Sequence, residues 1–218
     1  MSAARRRTTL IALHGFTLNG AEMRRQLGEL HGVLEQHVSV VCPDAPNICP
    51  SESVERLYLK WQVPRLPPPH LCWWNASDDG AEYRGWNTTR KVLGELAAQR
   101  TPVALLGFSQ GASVAASLAA LSVRGEFPRV EFVICVAGGV PRATELRPLF
   151  DVPVELPSLH VWGDRDSISS KSAPLLAERF DVTGREVAPW RGSHTLPSRG
   201  AAAEAISDFV ERRSKRST

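Results

Sequence analysis

The chain has 218 residues, 43% of them hydrophobic, and a formal net charge of +3, which suits one globular domain over 1–218 with a sizeable core. Its basic residues gather at the ends (Arg5, Arg6 and Arg7; Arg212, Arg213, Lys215 and Arg216) and form no stripe with interleaved aromatics, so a nucleic-acid partner is not expected. No apolar run approaches the roughly 20 residues of a membrane span, and residues 10–13 are too short for the apolar region of a secretory signal. Cys42, Cys49, Cys72 and Cys135 fall in no metal-ligand spacing and read as reduced thiols of a cytoplasmic protein. No metal or cofactor is called for, and nothing in the pattern sets an oligomeric state.

In chain order, residues 9–13 read as a buried strand that stops at His14-Gly15. Asn19, with Glu22 three residues on, is a capping box opening a helix whose Met23, Leu27, Leu30 and Leu34 share one face. Residues 38–42 form a second strand, closed by Pro43-Asp44-Ala45-Pro46. The rhythm then breaks over 47–85, which contains Pro64, Pro67, Pro68 and Pro69. Long regular structure is not expected there, only one or two turns over 54–59. Trp61, Trp73, Trp74 and Trp86 lie in this segment or at its edge. A loop of this length in a compact domain carries function. It reads as a flap over the active site whose aromatics form an apolar acyl or alkyl pocket, with Trp73, Trp74 and Trp86 as lining residues. The plainer reading is a satellite hydrophobic cluster pinning down a long excursion.

After a helix over 87–99 comes an apolar run over 102–107 that ends at a glycine. Ser109 follows, flanked by Gly107 and Gly111, and apolar residues at 114, 115, 118, 119 and 121 then keep helical spacing. Strand, sharp turn and helix with a serine at the apex is the context a nucleophile elbow requires, because a Cβ beside the strained serine would clash. The N–H of Gln110, at the start of that helix, is placed to bind an oxyanion. Further strands fall at 130–137 and 157–162, a helix at 170–180, a last strand at 185–190 and a closing helix at 199–212. Strands alternating with helices predict an α/β fold with a doubly wound, mostly parallel sheet of about six strands.

Ligands of such sheets bind beyond the carboxyl ends of the strands. Ser109, the loop Gly163-Asp164-Arg165-Asp166 and the loop Gly192-Ser193-His194 all sit there, in the chain order serine, acid, histidine. A serine hydroxyl is a weak nucleophile near neutral pH, so a base must take its proton as it attacks a carbonyl. A carboxylate on the other ring nitrogen then fixes the tautomer and stabilises the imidazolium. His194 is the base, since His14, His31, His37, His70 and His160 sit on helices, inside strands, in the long segment or before the serine. Asp164 and Asp166 can both reach a histidine; Asp166 fits the acid better, and Asp164 suits a turn cap. The loop after the first strand offers the backbone N–H of Phe16 as a second oxyanion donor.

With these residues in place the sequence resembles the FSH family of serine hydrolases, compact α/β-hydrolases related to the ovarian-cancer-associated hydrolase group. The likeness runs almost end to end. It takes in Leu13-His-Gly-Phe16, Asn19-Gly20, Pro43-Asp-Ala-Pro46, Tyr83-Arg-Gly-Trp86, Leu106-Gly-Phe-Ser-Gln-Gly-Ala112, Pro157 to Gly163 with Asp166, and His194 with Pro197. The pentapeptide Gly-Phe-Ser-Gln-Gly also occurs in acyl-protein thioesterases and carboxylesterases. The resemblance implies esterase or thioesterase activity on small-molecule acyl or alkyl esters, with Ser109, Asp166 and His194 as triad and Phe16 and Gln110 as oxyanion donors. Two positions depart from the family pattern: Ala137-Gly-Gly-Val140-Pro141, which alters the pocket wall at Val140, and Gly192-Ser193-His194, where the family tends to carry two glycines. The expected function is a serine esterase favouring medium- to long-chain esters and working through an acyl-enzyme. An acyl-protein thioesterase or phospholipase-like carboxylesterase is the alternative, followed by a non-catalytic binding module on the same fold.

Overall fold

The computed structural model describes residues 6–62 and 65–216; the expectations for Arg5 and Pro64 lie outside the described residues. The central sheet contains β1 (Thr9–Leu13), β2 (Ser39–Val41), β3 (Val103–Phe108), β4 (Val130–Val136), β5 (Ser158–Gly163) and β6 (Arg185–Trp190), in the spatial order β6-β5-β4-β3-β1-β2. Every adjacent pair is parallel. The order turns back on itself between β1 and β3, which is where a doubly wound sheet opens a crevice at its carboxyl edge.

Period-two alternation sends each strand's side chains to two separate cores. Ile11, Leu13, Val103 and Leu105 face one core, and Leu10, Ala12, Ala104, Leu106 and Phe108 face the other. The first core receives α4 (Trp86–Ala98) and α5 (Gln110–Val123), the second α1 (Gly20–Leu27), α2 (Glu29–Leu34) and α7 (Ala201–Arg216). Helix α5 is buried along its whole run from Gly111 to Leu121. A helix apolar on all sides belongs inside a protein, and its two buried serines keep their hydroxyls occupied. Ser117 Oγ donates to the Ser113 carbonyl at 2.9 Å, and Ser113 Oγ to the Gly139 carbonyl at 2.7 Å.

Several boundaries differ from those the sequence suggested. The single helix expected after Asn19 is two, because Gly28 takes a φ of 52° and ends the first. Asn19 does cap it, its Oδ1 accepting the Glu22 N–H at 2.8 Å, but the Glu22 carboxylate turns to Arg25 and so forms no reciprocal half of a box. The helix expected over 170–180 shrinks to α6 (Ala173–Ala177), which leaves Leu175 49% exposed. The 47–85 segment contains more regular structure than expected: α3 (Ser51–Trp61) runs for 11 residues, starting after Pro50 and ending where Gln62 adopts a left-handed φ of 49°. Only Val54 and Tyr58, four residues apart, are buried on it, so its apolar stripe is one residue wide among charges. Two-residue antiparallel ladders, Asn47–Ile48 with Leu71–Cys72 and Asn75–Ala76 with Tyr83–Arg84, fold the rest of the segment back on itself.

Close backbone contact fixes the turn after β3. A Cβ on Gly107 would lie 2.1 Å from the Gly111 carbonyl oxygen, whereas one on Gly32 in α2 would meet nothing within 4 Å. Gly107→Ala is therefore expected to destabilise the protein by at least about 3 kcal/mol or to prevent folding. Gly32→Ala should stabilise by about 0.5–1 kcal/mol through helix propensity. Urea unfolding of both variants checks the pair.

Candidate active site

Ser109 stands between β3 and α5 with a φ of 54°. Non-glycine residues rarely occupy this left-handed region, and the turn holds the serine there through its N–H, bonded to the Val136 carbonyl at 2.9 Å. His194, in the loop after β6, reaches Ser109 Oγ with Nε2 at 2.9 Å. Its Nδ1 lies 2.9 Å from Asp166 Oδ2. The loops that carry the acid and the imidazole are themselves in contact, since a Cβ on Gly163 would sit 2.1 Å from the Gly192 carbonyl oxygen. Asp164 faces away, accepting the Gly192 N–H on Oδ1 at 3.1 Å, so it caps the turn and Asp166 meets the ring.

The Asp166 side chain has no solvent exposure. Burial, the largest influence, resists its ionisation, but it is outweighed by hydrogen bonds from the Ser169 hydroxyl and N–H and by the His194 ring, which together hold the carboxyl below its usual range. The acid therefore stays charged where the imidazole needs it.

The loop after β1 lies against the serine: a Cβ on Gly15 would be 3.3 Å from Ser109 Cβ. Phe16 comes next in this loop, and Gln110 opens α5, where the first N–H groups have no partner within the helix. The Gln110 side chain is a clamp. Its Oε1 accepts the Trp73 N–H and its Nε2 donates to the Trp74 carbonyl, each at 2.9 Å. Trp73 Nε1 in turn donates to the His14 carbonyl at 2.7 Å. Burial pushes His14 down to about 4, so its ring is neutral. Nε2 accepts the Ala45 N–H at 3.0 Å, which leaves Nδ1 as the donor to the Gly15 carbonyl at 2.8 Å. These contacts fix the backbone on both sides of Ser109.

A cleft of about 310 Å³ opens on Ser109 and His194. Its walls are Phe16, Leu57, Tyr58, Trp61, Leu66 and Ile168, with Glu22, Arg25 and Gln26 at one side. Of the flap tryptophans, Trp61 is on that wall and the other three are elsewhere. Trp73, Trp74 and Trp86 are 0%, 5% and 2% exposed and belong to the core on the α4–α5 side, and Val140 packs against the same core. Trp74 stacks on Tyr83 with centroids 4.3 Å apart and meets Trp86 edge-on at 5.8 Å. Mutual packing of large rings is the physical reason they turn inward, and Trp74 shows only an edge to a neighbouring polar depression. The cleft wall comes instead from α3, whose narrow stripe concealed it in the sequence. Among the described residues, no group of three or more His, Cys, Asp or Glu is arranged to hold a metal, and no helix is long and apolar enough to cross a membrane.

Comparison with known proteins gives the chain a family and its fold solved relatives. The family described as serine hydrolase (FSH1) matches residues 1–206. Esterase OVCA2 of Mus musculus is 30% identical, over 96% of this chain and 98% of its own length. The Homo sapiens esterase of the same name is 28% identical, over 96% and 98%. Among solved structures, the Zea mays acyl-protein thioesterase 2 superposes with a TM-score of 0.69 at 16% identity, covering 97% of this chain and 96% of that one. The Bacillus cereus carboxylesterase does so with a TM-score of 0.62 at 17% identity, over 95% and 89%. These two share the fold, a parallel α/β sheet.

The buried histidines make stability depend on acid. Burial pushes His14 down to about 4 and His160, in β5, down to about 3. Unfolded histidine takes up a proton near pH 6.5. The unfolded chain therefore binds protons that the native chain refuses, so stability is full above about pH 6.5 and falls as pH drops toward 4, by up to about 1.4 kcal/mol per unit for each ring. Chemical denaturation across pH 7.5–4.5 should show this decline, and His160→Leu is expected to flatten the slope by roughly half.

Proposed function

This chain belongs to the serine hydrolase (FSH1) family and is an esterase, and on that premise we propose that it cleaves carboxylic esters through a Ser109-His194-Asp166 triad and an acyl-enzyme intermediate. The observation that carries the reading is the unbroken line of two 2.9 Å contacts from Ser109 Oγ through the His194 ring to the Asp166 carboxylate.

In this mechanism His194 Nε2 takes the Ser109 proton as Oγ attacks the ester carbonyl. Asp166 keeps the other ring proton on Nδ1 and offsets the charge of the imidazolium. The carbonyl oxygen gains negative charge, which the N–H groups of Phe16 and Gln110 receive, helped by the positive end of α5. The C–O bond breaks as His194 returns its proton to the departing alcohol, or to the thiol of a thioester, leaving an acyl group on Ser109. Water, activated by the same nitrogen, then releases the acid. A non-catalytic binding module would have no use for a buried, charged Asp166 directed at a histidine.

The apolar wall of the cleft favours an aliphatic chain. Each methylene moved from water into such a wall contributes about 0.8 kcal/mol, so p-nitrophenyl octanoate should be turned over at least tenfold more efficiently than the acetate. Trp61→Ala is expected to narrow that ratio. Rates on the acetate that equal or exceed those on the octanoate would overturn the chain-length reading. A fluorophosphonate probe should label Ser109 and no other serine. Ser109→Ala should lose labelling and about 10⁴- to 10⁶-fold of turnover, and Asp166→Asn about 10⁴-fold. Turnover that survives Ser109→Ala would exclude the triad.

A further inference from the structure

Asp166 holds more than His194. Its Oδ2 takes the ring Nδ1 at 2.9 Å and also the hydroxyl of Ser169. Its Oδ1 takes the N–H groups of Ile168 and Ser169, each at 2.8 Å. A carboxylate has about four acceptor positions, and the protein fills all of them. Asp166 and Ser169 are 1% and 3% exposed, so water has no access to replace the hydroxyl if it is lost. Ser169 is itself fixed, because its carbonyl accepts the N–H groups of Ser172 and Ala173 at 3.0 and 2.8 Å, in the turn that leads into α6.

We propose that Ser169 is a positioning residue of the relay: by sharing Oδ2 with the imidazole, its hydroxyl sets both the direction of that oxygen and the negative charge it presents to His194. The inference rests on the triad reading above. A donor on Oδ2 draws charge away from the ring. Without it, the carboxylate grips the imidazolium more strongly, so the ring keeps its proton to higher pH and gives it up less readily to the leaving group. Oδ2, then held only through the N–H groups on Oδ1, keeps its contact with the ring in a less tightly set direction. The same hydroxyl is among the groups that keep Asp166 ionised despite burial. Other charges near the relay are Asp164 and Arg165 on the acid's own loop, and Glu22 and Arg25 on α1, which pair with each other at 2.5 Å beside the cleft. Changing Ser169 alters none of these.

The test compares the parent with Ser169→Ala, Ser169→Thr and Ser109→Ala on a p-nitrophenyl ester from pH 5 to 9, with thermal unfolding of each. Ser169→Ala is expected to lose roughly tenfold in kcat, with KM within about twofold. The acid limb of its kcat/KM profile should move up by roughly half a pH unit, and Ser169→Thr, which keeps the hydroxyl, should restore both. If the alanine variant fails to fold, Ser169→Cys, a weak donor of similar size, should show the same displacement of the limb. A folded Ser169→Ala or Ser169→Cys enzyme whose acid limb superimposes on the parent's would overturn the proposal, and an inactive Ser109→Ala beside it would leave the triad standing. Turnover that survives Ser109→Ala would instead overturn the triad and this inference together.

Discussion

The first turn of α5 passes so close to the end of β1 that a Cβ on Gly111 would lie 2.2 Å from the Leu13 carbonyl oxygen, and β3 touches the same turn at Gly107. Three backbone segments are thus in direct contact with no side chain between them. That contact leaves the connection between β3 and α5 no room for an ordinary turn, and the residue at its apex adopts the left-handed φ of 54° seen at Ser109. The strain is local and affordable because a sheet parallel throughout and an entirely buried helix surround it. Its effect is to lift one hydroxyl above the sheet edge while the N–H groups that begin α5 stay beneath it. Position, exposure and a nearby positive dipole all follow from the same crowding.

Charge is handled by a second constraint, on the other side of the serine. A carboxylate removed from water is costly unless its lone pairs find donors. Asp166 finds them within four residues of its own chain: two N–H groups and a hydroxyl come from Ile168 and Ser169, and only the fourth donor, His194, comes from elsewhere. The acid is therefore arranged before the histidine loop arrives. That loop is located by backbone contact at Gly163 and Gly192 and by the Asp164 cap on the Gly192 N–H. Neighbouring aspartates thus do different work: the exposed one shapes the loop, and the buried one faces the imidazole.

What could be read in the sequence follows from the range of the forces involved. Strands β1, β3, β4 and β5 are apolar runs with a glycine at or within two residues of their ends, and the elbow is written in five consecutive positions, so both were visible locally. The choice between Asp164 and Asp166 was also partly local, because a capping aspartate lies nearer the end of its strand. The segment over 47–85 was the opposite case. Its helix α3 buries only Val54 and Tyr58, too little for a periodic signal, and prolines on both sides suggested irregular chain. The destination of the tryptophans was invisible for a different reason. Aromatic content announces large apolar surfaces but not which way they turn, and Trp74 turned toward Tyr83 and Trp86, rings distant from it by nine and twelve positions. Ser169 had a faint local mark, a serine three residues after an aspartate, the spacing of a side-chain cap. Nothing in that spacing shows that the capped carboxylate is the one that meets His194.

The inward tryptophans give the cleft its form even though they do not line it. Trp73 hydrogen-bonds to the His14 carbonyl through its indole and to Gln110 through its backbone, and its ring packs on His14 at 4.8 Å. The long segment is thereby anchored to both the β1 loop and the elbow, the two places that carry the proposed oxyanion donors. Only with that base fixed can α3 hold Leu57, Tyr58 and Trp61 over Ser109 while burying just two of its own residues. The wall proposed to meet a substrate chain is weakly rooted and the base beneath it is strongly rooted. Changes along α3 can therefore alter what fits the cleft without disturbing the serine, the imidazole or the carboxylate. On the proposed function, selectivity and chemistry therefore rest on different parts of the fold.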